Sequence, residues 1–250
     1  MAEFNLTGIR PEVVETVRGF AQGALNAFKE HLLSVNLAGS VLTKDYLPGR
    51  SDVNFVLVFQ RFYPDFFDGV MELGRAYGSK GVSAPLAMTQ AYMETSLDAF
   101  PVEFFNLRLI HQTVYGRDVI ADFKIDKSDL RLQCERELKA HFLQLRQGFI
   151  RTGGDPRGLK EMLFSAQSAY VPVVRALLHL LGKEPPREAQ EAITALEGAI
   201  GLQMGPMRDI ARLKVEETRL DAEATKRLFF GLYELGGALG EKVDQMQFPA

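Results

Sequence analysis

The stretch that decides the fold is residues 37–59, which read LAGSVLTKDYLPGRSDVNFVLVF. Its first residues end a short apolar run at 34–38, and its last residues, 53–59, form a nearly continuous apolar run. Short apolar runs bounded by turn residues predict strands that are buried on both faces. The intervening residues 45–50 contain a Pro-Gly pair, which predicts a turn. We therefore expect two strands joined by a polar loop.

Polar residues stand at both ends of this loop. Gly39 and Ser40 follow the first strand, and glycine there allows an anionic group to approach the backbone amides and the Ser40 hydroxyl. Asp52 and Asn54 are two residues apart at the start of the second strand, so both side chains leave the same face. An aspartate beside a phosphate-binding turn is the minimum needed to hold Mg²⁺ against a triphosphate.

The rest of the first half mixes helical and strand-like patterns. Apolar spacing predicts a helix that begins at Pro11. Further along the chain we expect a helix at 64–76, a strand at 83–89, a short helix at 90–98 and a third strand from Val102 to Leu109. Together these elements predict a mixed sheet covered by helices.

The second half has a helical pattern almost throughout. Asp155-Pro156 predicts an N-cap and a first helical turn, and Asp221 is expected to cap the last helix. Several amphipathic helices with short connections are typical of a bundle. Because charged residues cluster near 122–129 without an apolar period, we expect one domain at 1–122 and a second at 123–250.

Composition restricts the class of protein. The 250 residues include 29 basic and 32 acidic side chains, and the net charge of −3 gives no general attraction to nucleic acid or to an anionic membrane. A single cysteine excludes an internal disulfide. No apolar run reaches membrane-spanning length, and the first residues lack the pattern of a signal peptide. We expect a cytoplasmic protein with no membrane partner and no nucleic-acid partner.

Other reactive side chains form no second candidate site. The histidines are far apart in sequence, and none has a His or Cys neighbour at metal-ligand spacing: His31, His111, His141 and His179. Cys134 lies on the apolar stripe of its helix, which predicts a small core residue rather than a nucleophile.

The loop and its flanks resemble the nucleotidyltransferase superfamily, which includes DNA polymerase beta and the kanamycin-type aminoglycoside enzymes. That motif is a Gly-Ser pair, then Asp-x-Asp or Asp-x-Glu between apolar residues, then a third carboxylate on another strand. Here Gly39-Ser40 is followed eleven residues later by Ser51 and Asp52. Residues 100–107 (FPVEFFNL) resemble the third-carboxylate strand, and residues 111–118 (HQTVYGRD) resemble the tail of bacterial members.

The resemblance covers about residues 20–120 and implies a fold, a reaction and a site. The fold class is α+β, a nucleotidyltransferase-like mixed sheet with flanking helices, followed by an all-α helical bundle. The reaction is transfer of an NMP group from Mg·NTP to a hydroxyl of a small molecule or a protein. The resemblance implies that Gly39 and Ser40 hold the triphosphate and that Asp52 and Asn54 hold the metal. It also implies that Asp52 and Glu103 are the catalytic residues, with Glu103 as the base.

Asn54 departs from the family pattern, because it stands where the second metal-binding carboxylate is expected. An amide oxygen can ligate Mg²⁺ but brings no charge. Three interpretations stay open: an active transferase, a non-catalytic module that binds a nucleotide or a protein, and a turn and strand start that match the motif by coincidence. We expect a weakly active or inactive protein, a pseudoenzyme. A sheet edge or an apolar bundle face would also allow a homodimer.

Overall fold

The computed structural model describes residues 3–216 and 221–246. The chain divides into two compact units, of which the first comprises residues 1–97 and 107–124 and the second comprises 98–106 and 125–250. In the described ranges, no helix is both long and apolar enough to cross a membrane.

The first unit contains a four-stranded sheet with helices. Its elements are α1 (Pro11–Phe28), β1 (Leu32–Ala38), β2 (Asn54–Phe59), α2 (Phe66–Tyr77), β3 (Leu86–Thr89), α3 (Gln90–Glu94) and β4 (His111–Gly116). A further helix, α4 (Pro101–Leu109), crosses the boundary between the two units. The predicted start of α1 at Pro11 is confirmed.

The strands follow the order β3-β2-β1-β4. β1 pairs antiparallel with both β2 and β4, whereas β2 pairs parallel with β3. The sheet is therefore mixed, and Ala38 at the end of β1 lies opposite Asn54 at the start of β2.

Aromatic packing joins α1 to one face of this sheet. Phe20 of α1 stacks on Phe55 of β2, with ring centroids 3.9 Å apart, and Phe28 meets Phe59 edge to face at 5.0 Å. All four side chains are buried. Aromatic pairs at such distances stabilise a core beyond the area that they bury.

The outer edge of β4 is covered by residues near the beginning of the chain. The backbone N–H of Asn5 donates to the carbonyl of Val114 at 2.8 Å. The Gln112 side-chain amide donates to the carbonyls of Asn5 at 3.2 Å and Thr7 at 3.1 Å. These bonds hold the segment along the strand.

Helices make up the second unit. They are α5 (Lys127–Thr152), α6 (Pro156–Leu180), α7 (Ala189–Ile200), α8 (Gly205–Glu216) and α9 (Ala222–Asp244). The predicted caps are confirmed, because Asp155 accepts from the N–H of Gly158 at 2.9 Å and Asp221 from that of Ala224 at 2.7 Å. The expected α+β class, a mixed sheet with flanking helices followed by an all-α region, is confirmed.

The third strand expected at Val102–Leu109 is wrong, because these residues form helix α4. A short apolar run does not by itself distinguish a strand from a buried helix, and Pro101 suits a first helical turn. Gln133 of α5 also accepts the N–H of Val102 at 2.7 Å, which satisfies a donor at the helix start. The strand that completes the sheet is β4, one segment later.

Candidate functional site

The end of β1 turns sharply at Gly39. Its φ of 80° lies in the left-handed region that favours glycine, and residues Gly39–Leu42 form a short 3-10 turn. The Gly39 N–H donates to the carbonyl of Ile110 at 3.2 Å. This amide is therefore bonded to the residue that leads into β4, which leaves the Ser40 hydroxyl as the donor to consider for an anionic ligand.

Ser40 keeps its side chain available. Its backbone carbonyl accepts from the N–H of Thr43 at 2.8 Å and from the Thr43 hydroxyl at 3.1 Å, which closes the turn. Among the described residues, the Ser40 hydroxyl has no hydrogen-bond partner, and the residue is partly exposed. Of the two residues expected to hold phosphate, Ser40 retains a free donor.

A closed turn leads from this loop into β2. Ser51 donates its N–H to the carbonyl of Leu47 at 2.8 Å, and its hydroxyl accepts the N–H of Leu47 at 3.1 Å. Gly49 within the turn has a φ of 76°. These contacts fix the position at which Asp52 enters the strand.

Asp52 and Asn54 flank a buried residue. Val53 between them is 1% exposed and bridges to Val82, whereas both polar residues are exposed. Within the described chain, the Asp52 carboxylate forms no hydrogen bond or ion pair. Asp52 thus presents an unneutralised negative charge to solvent.

The Asn54 side chain lies between Gly39 and Ser83. Its Oδ1 accepts a hydrogen bond from the Ser83 hydroxyl at 2.7 Å. Its Nδ2 lies 3.4 Å from the point where a Cβ on Gly39 would stand. The amide therefore turns its oxygen toward Ser83 and its NH₂ group toward the turn after β1.

Ser83 belongs to this site although no motif in the sequence marks it. Its backbone N–H donates to the carbonyl of Val53 at 3.2 Å, which holds it beside the start of β2. This contact depends on the parallel register between β2 and the segment that leads into β3, and no short motif marks such a register. Gly39, Asn54 and Ser83 thus come together, with Ser40 and Asp52 next to them in the chain.

Glu103 lies on helix α4, in the second unit. Its Oε2 accepts a hydrogen bond from Nε2 of Gln133 at 2.7 Å, and Gln133 is itself 3% exposed. The expected role as a base rested on a strand at residues 100–107, and the structure has a helix there. Gln133 therefore gives Glu103 a structural partner in the second unit.

A buried polar network stiffens the sheet behind the turn. Asn36 of β1, fully buried, donates to the Ser34 hydroxyl at 2.9 Å and to the carbonyl of Val56 at 3.2 Å. The Thr113 hydroxyl of β4 donates to Asn36 Oδ1 at 2.7 Å. Satisfied polar groups of this kind specify strand register, because leaving one unpaired would be costly.

The residues present do not fit a two-metal site. None of the four strands contains an aspartate or glutamate. The carboxylates near this end of the sheet are Asp52, just before β2, and Asp118, which lies 3.1 Å from Nε2 of His111 at the start of β4. Over the described ranges, no three Asp, Glu, His or Cys side chains lie close enough to share a metal ion. Paired Mg²⁺ ions at a triphosphate depend on several carboxylate oxygens, and Asn54 and Ser83 supply none.

No family model matches the chain, and no curated protein matches it. Among solved structures the chain is similar to a spectinomycin adenyltransferase from Enterococcus faecialis, solved with ATP and spectinomycin. The two share 12% sequence identity with a TM-score of 0.44, and the alignment covers 92% of this chain and 99% of the other. At that TM-score the likeness adds nothing to what this chain's own residues indicate about the site.

Proposed function

We propose that the first unit is a nucleotidyltransferase-like domain that binds a nucleoside triphosphate and transfers its NMP group slowly or not at all. The observation that carries this proposal is Asn54. It occupies the position of the second carboxylate in the motif, and its oxygen accepts a hydrogen bond from Ser83.

Nucleotide binding is supported by the turn after β1. Ser40 has a hydroxyl without a partner among the described residues, and Gly39 leaves open the space beside Asn54 Nδ2. The Ser40 hydroxyl and the Asn54 side-chain amide are donors beside a glycine turn, and such donors suit the oxygens of a phosphate chain. Asp52 stands exposed at the same end of the sheet.

Weak catalysis is supported by the shortage of carboxylates. Phosphoryl and nucleotidyl transfer depend on neutralising the charge of the phosphates and of the attacking and leaving oxygens. Even the loss of a residue that orients a metal ligand lowers metal affinity or activity by about 10–100-fold. Replacement of a direct ligand carboxylate by Asn54 should reduce the rate at least as much.

Calorimetric titration with ATP and GTP tests the binding proposal. Ser40→Asp would place a negative charge beside the phosphates, and like charges about 4 Å apart repel by about 1–4 kcal/mol at effective dielectric constants of 80 to 20. We expect at least fivefold weaker binding, since about 1 kcal/mol corresponds to that factor. Ser79→Asp, at an exposed serine of the same unit, is the control and should leave binding unchanged.

A pyrophosphate-release assay tests the catalytic part. We expect release from ATP or GTP far below the turnover of about 1–10³ s⁻¹ that is typical of enzymes. Turnover within that range for any hydroxyl acceptor would refute the proposal of a slow or inactive domain. Absence of ATP and GTP binding, or binding that Ser40→Asp leaves intact, would refute the proposed site.

A further inference from the structure

We infer that Asn54 and Ser83 convert the second metal position into a hydrogen-bond donor, so that the domain binds the nucleoside triphosphate without a divalent cation. This inference rests on the proposed nucleotide binding. The ligand is the metal-free triphosphate, and Asn54 takes the place of a metal ion as its partner.

The orientation of the Asn54 amide carries the argument. A carboxylate accepts hydrogen bonds or binds cations through both oxygens, whereas an asparagine offers one acceptor and two N–H donors. Ser83 donates to the acceptor at 2.7 Å, which leaves the NH₂ group on the side of Gly39. An NH₂ group cannot ligate Mg²⁺, but it donates readily to a phosphate oxygen.

The charge around the turn agrees with this orientation. Two carboxylates at the start of β2 would repel a bare triphosphate and would require cations to offset that repulsion. Only Asp52 is charged here, because Asn54 is neutral. One carboxylate instead of two at the start of β2 thus repels a metal-free triphosphate less than the family pattern would.

Ser83 is a positioning residue in this arrangement. Its N–H bond to the carbonyl of Val53 fixes its backbone, and its hydroxyl then fixes which end of the Asn54 amide faces the turn. Without the hydroxyl, Asn54 loses the contact that holds its oxygen away from the ligand. Threonine at this position keeps the hydroxyl and should keep the effect.

The test compares ATP binding by calorimetry in EDTA and in saturating Mg²⁺. For the natural chain we expect dissociation constants within about threefold of each other, because no metal ion is required. For Asn54→Asp we expect binding in EDTA to weaken about tenfold or more, through lost donors and added repulsion, and to recover with Mg²⁺. Asn26→Asp adds the same charge at an exposed position near the end of α1 and should behave like the natural chain.

Ser83 variants and the NMR signal of the Asn54 side-chain amide distinguish a positioning role for Ser83 from a purely structural one. Ser83→Ala should weaken ATP binding in EDTA severalfold, and Ser83→Thr should restore it. In ¹⁵N NMR, the side-chain NH₂ signal that disappears in Asn54→Asp should shift when tripolyphosphate is added to the natural chain in EDTA. If Ser83 were merely structural, Ser83→Ala would leave that shift unchanged.

The outcomes distinguish this inference from the proposed function. If Mg²⁺ tightens ATP binding to the natural chain tenfold or more, and Asn54→Asp shows the same dependence, the metal-free inference is refuted while nucleotide binding stands. If neither chain binds ATP, GTP or tripolyphosphate under either condition, the proposed function itself is refuted. An unmoved Asn54 NH₂ signal despite tripolyphosphate binding would refute the donor role.

Discussion

Replacing Gly116 by alanine should detach the end of β4 from β1. Gly116 has a φ of 83°, a conformation that costs an L residue about 1–2 kcal/mol. A Cβ there would lie 2.0 Å from the carbonyl oxygen of Leu33 and 3.0 Å from Cα of Ser34. Both obstacles are backbone atoms, so no change of rotamer relieves the overlap and the strands must separate.

The magnitude follows from the bonds that separation breaks. Gly116 pairs with Ser34, and the N–H of Arg117 donates to the carbonyl of Leu33 at 3.3 Å. Losing about two backbone hydrogen bonds, at about 0.5–1.5 kcal/mol each, adds about 1–3 kcal/mol to the conformational cost. The total destabilisation is about 2–5 kcal/mol. Gly49→Ala is the matched control, because its φ is 76° but nothing lies within 4 Å of its Cβ position.

Hydrogen–deuterium exchange with mass spectrometry measures this effect where it arises. We expect Gly116→Ala to speed exchange in peptides from β1 and β4, by a free energy that exceeds the change in Gly49→Ala by about 1–3 kcal/mol. Equal effects of the two substitutions would refute the reasoning, because they share the backbone conformation and differ only in the overlap. Unchanged exchange in β1 would refute it as well.

Three further predictions concern the second unit. Tyr170 is fully buried, and its hydroxyl has no hydrogen-bond partner among the described residues. Thermal unfolding should therefore show that Tyr170→Phe stabilises the chain by about 1 kcal/mol or leaves its stability unchanged, and a loss comparable to a core truncation would contradict this. Tyr92→Phe, at an exposed tyrosine, is the control. Burial raises the pKa of the Cys134 thiol to about 12, so this thiol should resist alkylation at pH 8 in the native chain and react only after unfolding. Rapid native labelling would contradict that expectation. Asp155→Ala should cost about 1 kcal/mol through loss of the bond to Gly158 N–H, and an unchanged unfolding midpoint would show that this cap is dispensable.

The strands and caps were predictable where one local signal dominated. Residues 53–59 form an apolar run between turn residues, and β2 follows that run closely. Asp155-Pro156 specifies a helix start through a side-chain acceptor and a preset φ, and both act within one turn. Such signals are short-range, so the sequence alone is enough to locate them.

Residues 102–109 and the contacts of Asn54 were not predictable in the same way. The run that contains Val102 is compatible with either strand or helix, and the Gln133 side chain that completes the helix start is far away in sequence. The bond between Ser83 and Asn54 depends on strand register across the sheet. The sequence thus identified Asn54 as the departure, and only tertiary structure revealed which end of its amide faces the turn.

The segment along β4 also determines how this sheet meets other chains. An uncovered edge strand offers unpaired N–H and C=O groups to any extended peptide, which is a route to aggregation or strand exchange. Asn5 pairs with Val114 and so closes that route on one side. A chain shortened past Thr7 would expose the β4 edge and should self-associate through it at a concentration where the longer chain does not.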